Sequence, residues 1–132
     1  MIPTERLLLL ADRLEEDATN PSGMKFDLQE WFGEETNAHN RPALDCNTTG
    51  CAIGLAMLTP EFNAEGFKAD ADFDPIFVNA DIPAGWDAVQ AYFGLTFSEA
   101  ANLFSHASYL KGKGATAELA VAKRIRRFVT AQ

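Results

Sequence analysis

Apolar residues recur along this chain with two periods, and the two periods predict different elements. Thr4 has the character of an N-cap, and Leu7, Leu10, Ala11 and Leu14 follow at i, i+3, i+4 and i+7. That spacing is one face of a helix, over about 4–17. Asn20-Pro21-Ser22-Gly23 breaks the pattern. Met24, Phe26 and Leu28 then alternate with Lys25 and Asp27, either as a short strand or as a helical turn begun by Asp27. From Glu34 to Leu44 the chain is polar and reads as a surface loop. Phe67, Ala69, Ala71 and Phe73 alternate with Lys68, Asp70, Asp72 and Asp74, the period of a strand with one wet face. Pro75 interrupts that run, and Ile76-Phe77-Val78 is either a second short strand or a buried crossing segment.

The helical period returns after Asp81-Ile82-Pro83. Trp86, Val89, Tyr92 and Phe93 share a face, and Gly94 stands where a left-handed C-terminal residue is expected. Thr96-Phe97-Ser98-Glu99 fits a capping box, so a new helix begins at once, with Ala100, Leu103 and Phe104 inward. Lys111-Gly112-Lys113-Gly114 is a turn. A last helix from about Thr116 carries Val121, Ile125, Phe128 and Val129 on one side.

Between these halves lies the stretch Asp45–Leu58, which holds both cysteines, Cys46 and Cys51. Asn47, Thr48 and Thr49 are residues that accept from the free N–H groups of a helix start. They predict a short buried helix over Gly50–Leu58, with Cys51 in its first turn and Pro60 ending it. Ala52, Gly54 and Ala56 allow close approach to its backbone. A helix this short is not stable alone, so other elements must pack around it. The fold expected is α+β and mainly helical: about five helices around this short one, with a small two-stranded β element near Phe67–Val78, in a single domain over 1–132.

Composition adds limits. The chain has 132 residues and 47% apolar content, which suits one folded domain. No apolar run approaches the roughly 20 residues of a membrane helix. The run Leu7–Ala11 is flanked by charges, unlike a signal peptide, so the expected address is cytoplasmic. The net charge of −8 opposes non-specific binding to a phosphate backbone. The charge is uneven. Seven acids and one base lie between Glu61 and Asp87, and six bases and one acid, Glu118, between Lys111 and Arg127. Nucleic acid is thus an expected partner only through the basic last helix. A protein partner is compatible with either charged face.

The chemistry-bearing residues are few. Cys46 and Cys51 are read first as reduced structural thiols, which behave as small apolar residues. A disulfide requires an oxidising compartment. A zinc site requires Cys46, Cys51, His39 and His106 to converge, without the close ligand spacing of a zinc finger. A thiol enzyme requires Cys51 or Cys46 as nucleophile and His106 as base, Cys51 being favoured by a helix N-terminus that stabilises a thiolate. Asp70, Asp72, Asp74 and Asp81 approximate calcium-loop spacing, but Pro75 stands where the loop needs glycine. Tyr109, beside Lys111 and Lys113, is a candidate surface contact. No complete catalytic set and no cofactor are expected.

Two resemblances bear on this. Asp45-Cys46, ahead of Asn47 and Gly50, is slightly similar to the nucleophile segment of papain-like cell-wall peptidases, which place their histidine at the start of a strand. His106 lies instead in the helical context Leu103-Phe104-Ser105-His106-Ala107. More extensively, Phe26-Asp27-x-x-x-Trp31-Phe32 followed by Cys46-x-Thr48-x-x-Cys51-Ala52-x-Gly54-x-Ala56 resembles a group of small uncharacterised bacterial and phage proteins. They share a Cys-Gly-Thr-x-x-Cys-x-x-Gly-Trp-Ala motif and a later Phe-Gly-Leu-Thr join, here Phe93–Thr96. This chain departs at Asn47, where glycine is usual, and at Leu55, where tryptophan is common. The resemblance spans about Phe26–Phe104 and implies a shared fold with no established activity. The function expected is a small intracellular binding or accessory module without catalysis. The alternatives are the cysteine-dependent enzyme and a zinc-stabilised domain.

Overall fold

The computed structural model describes residues 1–19, 24–26, 32–34, 48–50, 52–71, 74–78, 85–105 and 114–131, with backbone alone for 24–26, 32–34, 48–50 and 114–115. The fold is α+β and mainly helical. Its helices are α1 (Pro3–Thr19), α2 (Ala52–Met57), α3 (Pro60–Ala64), α4 (Gly85–Phe93), α5 (Phe97–Phe104) and α6 (Gly114–Thr130). Its strands are β1 (Met24–Phe26), β2 (Phe32–Glu34), β3 (Thr48–Gly50), β4 (Phe67–Ala69) and β5 (Pro75–Phe77).

Most residues of the expected apolar faces are buried, and Trp86, Phe128 and Val129 are half-buried against the core. Leu7, Leu10, Ala11 and Leu14 of α1 are in the core, with Val89, Tyr92 and Phe93 of α4, Ala100, Leu103 and Phe104 of α5, and Val121 and Ile125 of α6. All six residues of α2 are buried. This helix packs against α1, α3 and strands β3, β4 and β5. The most extensive contact among the described elements, however, is between α1 and α6. Burying an apolar stripe on each of these long helices removes more apolar area from water than six-residue α2 can, which is why they dominate the packing.

Local signals also hold. Thr96 caps α5: its Oγ1 accepts from the Glu99 N–H at 3.1 Å, while Glu99 Oε1 accepts from the Thr96 N–H at 2.9 Å. Gly94 has φ +65°, and the Leu95 N–H donates to the Gln90 carbonyl at 2.9 Å. That 6→1 bond, with Leu95 buried beyond it, is a Schellman closure of α4.

Three expectations are corrected. Thr48 and Thr49 do not stand in a helix start. They belong to β3, central in a three-stranded sheet of order β1-β3-β2. β3 runs parallel to β1 (Met24↔Thr48) and antiparallel to β2 (Glu34↔Thr48), so its backbone groups go to strands on either side. Pro60 does not merely end a helix. It is the first residue of α3, where the missing N–H costs nothing, and the Thr59 carbonyl accepts from the N–H groups of Phe62 and Asn63 at 3.0 Å. Finally, the alternation that begins at Phe67 is strand over Phe67–Ala69, Asp70 and Ala71 stand outside that strand, and Asp72 and Phe73 lie outside the described residues. The Asp70 N–H donates to the Asp74 carbonyl at 2.9 Å, and Asp70 Oδ1 accepts from the Asp74 N–H at 3.0 Å. This closes a hairpin turn. Pro75 is therefore not an interruption but the first residue of β5, a position that tolerates proline, paired with Ala69.

Candidate functional site

The sequence-derived site residues Cys46, Cys51, His39 and His106 lie outside the described residues, as do Asp72, Asp81 and Tyr109. What the structure does show is the frame around Cys51: β3 ends at Gly50 and α2 begins at Ala52. Asp70 and Asp74 close the β4–β5 hairpin rather than line a strand. Among the described residues, no three histidine, cysteine, aspartate or glutamate side chains converge as metal ligands.

Two other clusters of ionisable groups stand out. The first is centred on Glu65, at the end of α3. Its Oε1 accepts from the Tyr92 hydroxyl at 2.6 Å and from Arg6 Nε at 3.0 Å, and its Oε2 accepts from the Met1 amino group at 2.6 Å. The amino group, then the Tyr92 hydroxyl, with Arg6 adding to them, hold the carboxyl down at about 2 against the opposing effect of burial. Burial, then the Glu65 carboxylate, raises Tyr92 well above the usual phenol range. Arg6 also donates through Nη1 to the Tyr92 carbonyl at 2.8 Å, with its guanidinium carbon 4.2 Å from the centre of the Tyr92 ring. The cluster joins α1, α3 and α4. Its phenol is held protonated and its carboxylate ionised and fully engaged, so it serves as a clamp rather than as an acid or base.

The second cluster lies between α1 and α6. Asp17 and Glu118 are both buried, at 5% and 4% exposure, and hydrogen-bonded to each other. Burial, then the hydrogen bond and charge of Asp17, push Glu118 up to about 9. Glu118 Oε2 has no hydrogen-bond partner among the described residues. Sequence reasoning passed over this pair, although a signal existed. Asp17 stands three residues beyond Leu14, and Glu118 three before Val121, so each acid falls on the apolar stripe of its helix.

The basic stretch is less basic in space than in sequence. Arg126 donates to Asp12 and to both oxygens of Glu15 on α1, and those hydrogen bonds, Glu15's first, raise its pKa. Arg124 Nη1 donates to the Asn102 carbonyl of α5 at 3.0 Å. Lys123 and Arg127 remain exposed beside an open groove of about 600 Å³ that Glu15, Arg126 and Thr130 also line. The groove lies near the C-terminal end of α6, where the helix dipole disfavours anions.

Together these features define a small, mainly helical α+β protein with its described ionisable clusters turned to joining helices. No family model, no curated protein and no solved structure matches this chain.

Proposed function

We propose that this chain is a small non-catalytic binding or accessory module, with a cytoplasmic address. The observation that carries the reading is an exposed phenylalanine beside a half-buried tryptophan. Phe97, in the first turn of α5, is 59% exposed, and its ring meets Trp86 of α4 edge-on with centroids 6.4 Å apart. Apolar area left in water at a helix corner is area that a protein partner can cover. The clusters around Glu65, Glu118 and Arg126, by contrast, are engaged within the fold. Among the described residues, no helix is long and apolar enough to cross a membrane. A shared fold with the small bacterial and phage group carrying the paired-cysteine motif belongs to the same proposal.

A second reading, the cysteine-dependent enzyme, is favoured by one observation. The chain passes from strand β3 to helix α2 with only Cys51 between them. Strand-to-helix turns present nucleophiles in several hydrolase families. His106 would serve as base to Cys51 or Cys46.

Thiol alkylation of native protein between about pH 5 and 9, read by mass spectrometry at each cysteine, separates the two readings. The expected result is slow reaction at both Cys46 and Cys51 until the protein unfolds. Fast reaction at one of them, with an apparent pKa well below about 8.5, overturns the non-catalytic reading and names the nucleophile. The binding reading also predicts that Phe97→Ser leaves the unfolding midpoint nearly unchanged while abolishing capture of a partner that the wild-type chain retains. A partner held equally by both would remove the aromatic pair from the argument.

A further inference from the structure

Asp17 and Glu118 meet where the last turns of α1 lie against the first turns of α6. A hydrogen bond between two carboxyl groups requires that one of them hold a proton, since an ionised carboxylate only accepts. Burying two bare carboxylates side by side would carry a large desolvation penalty in addition to their repulsion. Glu118, the member pushed up by burial and by Asp17, is the proton carrier. Its O–H donates to Asp17, and Oε2 is then a carbonyl oxygen, which tolerates the loss of a partner far better than a carboxylate oxygen does.

We propose that this carboxyl pair is a proton latch, in which a single shared proton ties the N-terminal half of α6 to the C-terminal turn of α1, and loss of that proton opens the seam.

Among the described residues, the charged groups on the elements around Glu118 are as follows. On α1, Arg13 is turned to Glu16 and to Glu61 of α3, while Asp12 and Glu15 pair with Arg126 two turns along α6. α2 has no ionisable residue. On α4, Asp87 is exposed, and on α5, Glu99 caps its own helix. β1, which packs on α6, brings Lys25 in its sequence. Among the described residues, Asp17 alone acts on the Glu118 proton.

The sign follows from linkage. The folded state keeps a proton that the unfolded chain releases above the ordinary glutamate value of 4.5. The stabilisation is therefore complete below that value, falls as pH rises, and is gone above about 9. Within this window the folded-to-unfolded ratio changes by up to about tenfold per pH unit for one proton.

The test uses the intact chain. Urea unfolding is measured from about pH 5 to 10, with native-state amide exchange in α6, for wild type and Glu118→Gln. Glutamine has the same shape and keeps an N–H donor toward Asp17. The wild type is expected to lose stability as pH rises and to lose protection first in the N-terminal half of α6. Glu118→Gln is expected to flatten the profile and retain that protection. An infrared carbonyl band of a protonated carboxyl should be present near neutral pH in the wild type and missing in Glu118→Gln. Should that variant fail to fold, Asp17→Asn removes the facing charge and is expected to move the loss of stability to lower pH. Matching wild-type and variant profiles, the lack of the carboxyl band, or uniform loss of protection along α6 would each overturn the latch.

Discussion

Tyr92→Ala is expected to lower the free energy of unfolding by about 3–5 kcal/mol, in the range for deleting a fully buried aromatic. Tyr92 is fully buried and touches rings on four sides. It stacks on Phe67 with centroids 4.6 Å apart, and meets Phe62, Phe77 and Phe93 edge-on at 5.4, 5.0 and 5.0 Å. These rings come from α3, β4, β5 and α4. One deletion thus opens a cavity where four elements meet, and close-packed surroundings collapse into it only in part. The same change strips the Arg6 guanidinium of the aromatic face beneath it and Glu65 of a donor. Tyr92→Phe separates these contributions, because it keeps the packing and loses only the hydroxyl. A hydrogen bond to a charged group contributes about 1.5–3 kcal/mol, so the phenylalanine variant should lose clearly less than the alanine one. Urea denaturation of both variants near neutral pH makes the comparison. Equal losses would mean that the hydroxyl, and not the ring, holds this junction.

Gly66→Ala is expected to cost about 2–3 kcal/mol, by two separate routes. Gly66 joins α3 to β4 with φ +96°, where an L side chain meets its own backbone at a cost of roughly 1–2 kcal/mol. An added Cβ would also stand 2.5 Å from Cγ2 of Val78, closer than any real contact, and overpacking of this kind adds about 1–3 kcal/mol. Some of that clash is relieved because Val78 is exposed and its side chain has room to turn. The backbone cannot yield as easily. The Gly66 N–H donates to the Asn63 carbonyl at 3.0 Å, and the Gly66 carbonyl accepts from the Val78 N–H at 3.1 Å, so the turn is held from both sides. Thermal unfolding of Gly66→Ala alone and with Val78→Ala tells the routes apart. If removing the valine side chain restores most of the loss, sterics dominate; if it restores little, the left-handed backbone does.

Features set by neighbouring residues are legible in the sequence itself. The stripe of α1, the capping box at Thr96, the left-handed Gly94 and the inward faces of α4, α5 and α6 depend on residues within about two turns of one another. The β4–β5 hairpin is half legible. Its alternation shows, but the aspartates that extend the pattern also favour turns, and Asp70 hydrogen-bonds its own loop instead of continuing the strand. Thr48 and Thr49 fail as helix caps for a related reason. Threonine suits both a cap and a strand, and the choice falls to β1 and β2, more than a dozen residues back in the chain.

For the candidate sites the division is sharper. Cysteine and histidine are singled out by residue type, and those residues lie outside the described part of the chain. The clusters that the structure does reveal are made by distance. Glu65 meets Arg6 across 59 residues and Tyr92 across 27, and Arg126 reaches Glu15 across 111. No local window contains such pairs. Asp17 and Glu118 are each visible as an acid on an apolar stripe, yet neither is unusual by itself, since an acid at the end of a surface helix is ordinarily solvated. Periodicity and capping are short-range effects, and they settle which segments are helices and which faces turn inward. Only the packing of α1 on α6 decides that two of those acids are enclosed together, because desolvation and charge coupling depend on what the folded chain brings within a few ångströms.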